Sequence, residues 1–166
     1  MQNVIGDFHQ QILGNCSDWR DLGTGSILDI VNDNKKIIAE IKNKYNTTKG
    51  NHKVELYDAI MAKLKESEYS GYTGYYVEII SKGKKQYDKP FTPSDNKQKG
   101  KQRTTDKKIR IIDGLSFYTL ATGNKNALSE LFNVLPKVIK ENTNYNLPET
   151  EIKQYGKLFE KAFSTE

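Results

Sequence analysis

The fifteen residues from Leu28 to Lys42 constrain this chain most. They read as two short apolar strands, Ile27 to Asn32 and Lys36 to Asn43, joined by an Asn-Asp-Asn turn. Side chains alternate across a strand, so Glu40 and Lys42 share one face while Ala39 and Ile41 take the other. A charged side chain half-buried in a small sheet costs several kcal/mol, by order of magnitude, unless it is paired or bound to a metal. Asp29, Glu40 and Lys42 therefore leave three readings open: a metal site, a structural ion pair, or a solvent-facing sheet edge. Spacing alone decides nothing, because the chain holds a second Glu-x-Lys triplet at Glu151, Ile152 and Lys153. That triplet lies in a helical pattern, where residues two apart point in different directions.

As a metal site, the motif has definite chemistry. Asp29 and Glu40 would offer carboxylate oxygens to Mg²⁺, and the backbone carbonyl of Ile41 a neutral one. Lys42 would hold a water in line with a phosphorus and offset developing negative charge. Phosphodiester hydrolysis needs that combination. Asp21 and Asp33 are nearby acids, read as ordinary loop and turn residues.

The flanking sequence predicts a mixed α/β domain, a small central sheet flanked by helices with a helical C-terminal third. Val4 to Leu13 reads as a helix, Gly14 to Gly25 as turns. A helix capped by Asn51 runs to about Ser67, with Val54, Tyr57, Ile60, Met61 and Leu64 as its apolar stripe. Tyr72 to Ser81 alternates as a strand. A polar stretch then reaches Lys108, and Ile109 to Ile112 forms a short strand ending in a turn at Asp113-Gly114. Leu115 to Ala121 and Asn126 to Glu141 read as helices, the second kinked or restarted by Pro136. Pro148 suits a first helical turn, and Ile152, Tyr155, Leu158, Phe159 and Phe163 are the expected inner face of the last helix. The 166 residues suit one domain, with a core over about 5–112 and a helical part over about 115–166. No apolar run is long enough for a transmembrane span. The start of the chain lacks signal-peptide character. Cys16 has no second cysteine to pair with. The expected location is the cytoplasm, with Cys16 an inert small residue.

The net charge is +5, and it is unevenly placed. Between Lys82 and Arg110 the lysines and arginines far outnumber Asp88, Asp95 and Asp106. A localised basic surface suits a nucleic-acid backbone.

Asp29 followed by Glu40-Ile41-Lys42 on adjacent strands resembles the PD-(D/E)xK nuclease superfamily. Leu28 stands where the motif's name has proline. Longer runs carry a closer likeness: Phe8 to Gly14, Ala39 to Thr47, Lys89 to Ser94 and Asp113 to Tyr118. Over about Ile5 to Ile139 the chain is similar to a family of type II restriction endonucleases associated with GGNCC sites. The resemblance implies Mg²⁺-dependent cleavage of double-stranded DNA, a homodimer on a palindrome, and a cognate DNA methyltransferase that protects the host. It also implies that members carry further residues before the first helix.

In such a nuclease, Lys44, Asn46 and Lys49 would approach the DNA backbone beside the scissile phosphate. Lys99, Lys101 and Arg103 lie in a basic and amide-rich loop suited to base edges, and Arg110 is a second arginine able to read guanine. Gln10, on the first helix, is expected to orient a ligand or water behind the site, and His9 to sit on the helix surface. The tyrosines of Tyr69 to Tyr76 are read as packing. A DNA-binding module without catalysis and a structure-specific repair nuclease are the alternative functions.

Overall fold

The computed structural model describes residues 2–23, 25–48, 50–95, 100–143 and 148–164, with side chains from Phe8 onward apart from that of Asn51. Helix α1 (Gln2–Gly14) leads into a short strand, β1 (Trp19–Asp21), then β2 (Ile30–Asn32) and β3 (Ile37–Lys44). Helix α2 (Gly50–Leu64) crosses to β4 (Thr73–Ile80). Three small strands follow, β5 (Asp88–Pro90), β6 (Ser94–Asp95) and β7 (Lys101–Gln102), before β8 (Ile109–Asp113). The chain then runs through α3 (Gly114–Thr122), α4 (Ala127–Asn142) and α5 (Glu149–Phe163).

Six strands form the main sheet in the order β1-β2-β3-β4-β8-β5. β1, β2 and β3 are antiparallel, β3, β4 and β8 run parallel, and β5 returns antiparallel on the edge. The three central strands are buried on both faces, which explains their near-continuous apolar runs. On one face Ala39, Ile41, Tyr75, Val77 and Ile79 pack with Leu13 of α1 and with Phe117 and Tyr118 of α3. On the other, Ile38, Tyr76 and Ile109 pack against Leu56, Tyr57 and Ile60 of α2. Each such large apolar side chain contributes about 1.5–3 kcal/mol when fully buried.

Two glycines set how closely the layers approach. A Cβ at Gly74 would stand 2.2 Å from Ile60 Cγ2, so α2 lies directly on β4. One at Gly114 would stand 2.4 Å from the Ile79 carbonyl oxygen, where α3 starts against the same strand. Asp113 caps that helix: its carboxylate accepts from the Ser116 backbone N–H at 3.0 Å and from that of Tyr87 at 2.7 Å. It is therefore a structural acid.

The mixed sheet, the flanking helices and the helical last third agree with the sequence reading. Several details differ. The turn-rich stretch after α1 contains β1, because Trp19 to Asp21 pair with Ile30 to Asn32 as a short edge. The first strand of the motif starts at Ile30, and Ile27 is 63% exposed. α2 ends at Leu64, before Ser67. The polar stretch holds β5, on the main sheet, and the β6–β7 pair. α4 continues through Pro136 without a restart. The expected inner face of α5 is only partly inner: Phe159 and Phe163 join Phe132 and the core, while Ile152 and Leu158 are exposed. His9 is not on the surface. It is buried, with Nδ1 2.8 Å from the Tyr118 hydroxyl. Burial pushes its pKa down to about 4. The tyrosines at 69, 72, 75 and 76 are buried packing residues, as expected. Cys16 is half-buried, its thiol donating to the Ile12 carbonyl and pushed up by burial.

Candidate active site

The site forms where β2 and β3 part. Asp29 stays in the ladder through its backbone: its N–H donates to Ala39 at 2.9 Å, and its carbonyl accepts from Leu22 at 2.8 Å. Beyond that point β3 has no β2 partner for the next N–H. The Asp29 carboxylate supplies one, accepting from the Ile41 N–H at 2.6 Å. That bond fixes the side chain against β3 beside Glu40. Lys42, two residues on and on the same face, donates from Nζ to Glu40 Oε1. Asp29, Glu40, Ile41 and Lys42 are thus brought together.

The electrostatics are unbalanced. Glu40 is 8% exposed and Asp29 half-buried, with Lys42 their close cation. Burial and then the charge of Asp29 push the Glu40 pKa up to about 7, against the pull of Lys42. Asp29 is raised too, mainly by burial, with the Ile41 N–H opposing. Two carboxylates held together beside one lysine lack positive charge, and a cation is what would restore it.

The donor set fits a hard divalent ion. It comprises two carboxylates and the adjoining Ile41 carbonyl, all oxygens, in the number Mg²⁺ accepts when it keeps several waters. Among the described residues no group of three or more His, Cys, Asp or Glu forms a fuller cage. A cavity of about 420 Å³ opens over Glu40 and Lys42. Ile27, Thr47 and Thr48 line it, with His52, Glu55, Leu56 and Ala59 of α2.

The other candidates are dispersed. Gln10 reaches the site through an acid: its Nε2 donates to Asp21 Oδ1 at 2.7 Å, and the charge of Asp21 adds to the upward push on Asp29. Asp21 ends β1 and does not lie in a loop. Lys44 and Asn46 are exposed at the end of β3 and in the loop that also carries Thr47 and Thr48. Lys101 is exposed on β7. Arg103 and Arg110 are engaged within the protein. Arg103 pairs with Asp58 at 2.7 Å and Asp95 at 3.3 Å, and Arg110 with Asp88 at 2.6 Å. Lys49 and Lys99 lie outside the described residues, as does the Asn51 side chain. Sequence reading missed the α2 wall. Its signal was there, since His52, Glu55, Leu56 and Ala59 follow helical spacing beside the apolar stripe.

Comparison with known proteins finds the chain's relatives among restriction enzymes. A family model described as "Eco47II restriction endonuclease" matches residues 1–144. The type II restriction enzyme Eco47II of Escherichia coli is 44% identical over 142 residues, which is 84% of this chain and 59% of that enzyme. The type II restriction enzyme Sau96I of Staphylococcus aureus is 29% identical over 136 residues, 81% of this chain and 51% of that enzyme. The chain thus spans little more than half the length of these curated relatives. No solved structure matches it significantly. Among the described residues no helix is long and apolar enough to cross a membrane.

Proposed function

The chain belongs to the Eco47II restriction endonuclease family, and from that premise we propose that it is a type II restriction endonuclease that hydrolyses double-stranded DNA at a GGNCC-type palindrome with Mg²⁺. The observation that carries this reading is the buried, charge-deficient pair of Asp29 and Glu40, with Lys42 on the same carboxylate. Asp29, Glu40 and the Ile41 carbonyl would hold the ion. When bound, it would polarise the scissile phosphate and acidify a water.

The protein's own groups do the rest. Asp29 keeps the Ile41 peptide oriented through its 2.6 Å bond. Glu40 holds Lys42 at the cavity mouth. Lys42 would fix the attacking water and offset negative charge developing on the phosphate oxygens. Gln10 restrains Asp21 behind the site. Lys44, Asn46, Lys49, Lys99 and Lys101 are the proposed DNA contacts. Arg103 and Arg110 join them by exchanging their aspartate partners for guanine edges. The proposed assembly is a cytoplasmic homodimer forming one nuclease domain per chain, alongside a cognate methyltransferase.

Plasmid carrying GGNCC sites, incubated with the protein and Mg²⁺, tests this. Discrete fragments that vanish with Glu40→Ala and with Lys42→Ala are expected. Binding without cutting would indicate a DNA-binding module, and cutting at branched DNA alone a structure-specific nuclease. Wild-type cleavage by Glu40→Ala would sink the site.

A further inference from the structure

A second cavity, of about 470 Å³, adjoins the first. Lys53, Lys82, Lys85 and Lys89 line it, with Tyr45, Tyr87 and Glu78. Its one acid is already neutralised, because Glu78 is 3% exposed and accepts from Lys53 Nζ at 2.9 Å and from the Tyr87 hydroxyl at 2.5 Å. Lys82, Lys85 and Lys89 have no carboxylate within ion-pair distance among the described residues, and Lys89 lies over the Tyr87 ring at 5.3 Å. This contrasts with Arg103 and Arg110, whose charges are met by aspartates. Three lysines of the basic segment without an aspartate or glutamate partner, Lys82, Lys85 and Lys89, thus meet at one cavity.

The position is also informative. Lys42 and Glu78 are register partners on β3 and β4, about 4.8 Å apart as neighbouring strands are. His52 and Lys53, successive residues of α2, line one cavity each. The Tyr45 N–H donates to Ile80 at 3.0 Å and joins the two strand ends. The lysine-bearing turn is held in shape by the buried Ser81, whose hydroxyl donates to the Lys85 carbonyl at 2.7 Å.

We propose that this cavity is a phosphate-binding subsite that seats a backbone phosphodiester next to the one cleaved over Glu40 and Lys42. It rests on the nuclease reading for the identity of the strand. Lysine ammonium groups around a neutral floor suit a phosphate as point charges, without reading bases. The subsite anchors the strand, so its loss weakens binding equally on every sequence.

Affinity for two short duplexes, one with and one without a GGNCC site, is measured against salt concentration without divalent metal. Three proteins are compared: wild type, the Lys82→Gln/Lys85→Gln double variant, and a Lys137→Gln/Lys140→Gln control that removes the same charge from the remote surface of α4. The pocket variant is expected to bind both duplexes more weakly by the same factor. Its dependence of log K on log salt should be shallower by about 1 to 2. With Mg²⁺, its KM should rise while kcat stays within about twofold. The control should keep the wild-type slope. An unchanged slope in the pocket variant, or an equal loss in the control, overturns the subsite. If wild type binds but never cuts, the nuclease reading fails while the slope difference still upholds the subsite. If it cuts normally and the slopes coincide, the subsite alone fails.

Discussion

Glu40 and Glu78 stand on neighbouring parallel strands, face the same helix and are both nearly excluded from water. Their surroundings differ. Glu78 meets an ammonium and a phenol that leave its charge matched. Glu40 shares its lysine with the second carboxylate of Asp29 and is pushed up to about 7 by burial and repulsion. Buried charge that is matched serves the fold, and the unmatched pair is what carries the proposed cation site.

The largest test of this contrast is catalytic. Glu40→Gln and Lys42→Ala should each lower DNA cleavage roughly a thousandfold or more, read as the initial rate of plasmid cutting. Glu78→Gln should stay within about tenfold at temperatures where it is folded. Equal losses at both glutamates would erase the distinction.

Stability should rank them the other way. Removing Glu78 strands Lys53 beside a buried ring and should cost about 3 kcal/mol in a denaturant titration without metal. Glu40→Gln should cost nothing or stabilise at neutral pH, because it relieves carboxylate repulsion.

The pH dependence sharpens the point. A carboxyl whose folded pKa lies above its unfolded value binds more protons folded than unfolded between the two. For Glu40 that window runs from 4.5 to about 7. Stability of the metal-free protein should therefore fall as pH rises through it, by on the order of 2 kcal/mol. Glu40→Gln should flatten that fall. Near neutral pH, Mg²⁺ should restore stability to wild type, by about 2.7 kcal/mol at a hundred times its Kd. Calorimetry at pH 7.5 with and without Mg²⁺ would show the gain, and a gain of the same size in Glu40→Gln would remove Glu40 from the metal site.

The smallest effect is expected at Gln10, which donates a hydrogen bond to Asp21. Gln10→Ala should slow cleavage about tenfold or less and shift the lower limb of the pH–rate profile. A change in KM alone would argue against positioning.

Much of this architecture was legible in the residues themselves. The alternation from Ile37 to Lys42 predicts which side chains share a face, and the structure sorts Ala39 and Ile41 from Ile38 and Glu40 accordingly. Apolar periodicity located α2, β4 and α3 within a few residues. The misses are of one kind. β1 and β5 are three-residue edge strands, which exist because a neighbour offers hydrogen bonds and carry no periodicity of their own. The burial of His9 depends on Tyr118, which is 109 residues away in the chain. Within the basic run between Lys82 and Arg110, Asp88, Asp95 and the distant Asp58 engage Arg103 and Arg110, while Lys82, Lys85 and Lys89 have no such partner among the described residues.

The sequence by itself therefore determined the local things: strand faces, helix stripes, and the adjacency of Glu40 and Lys42. These follow from periods of 2 and 3.6 residues that operate within one element. Tertiary structure alone decided which charges are matched. It set Asp29 against Ile41 and Glu40, gave Glu78 its lysine and tyrosine, and placed Asp21 under Gln10. The cost of a buried charge depends on what lies within a few ångströms in space, and that neighbourhood is assembled from strands and helices the sequence keeps far apart.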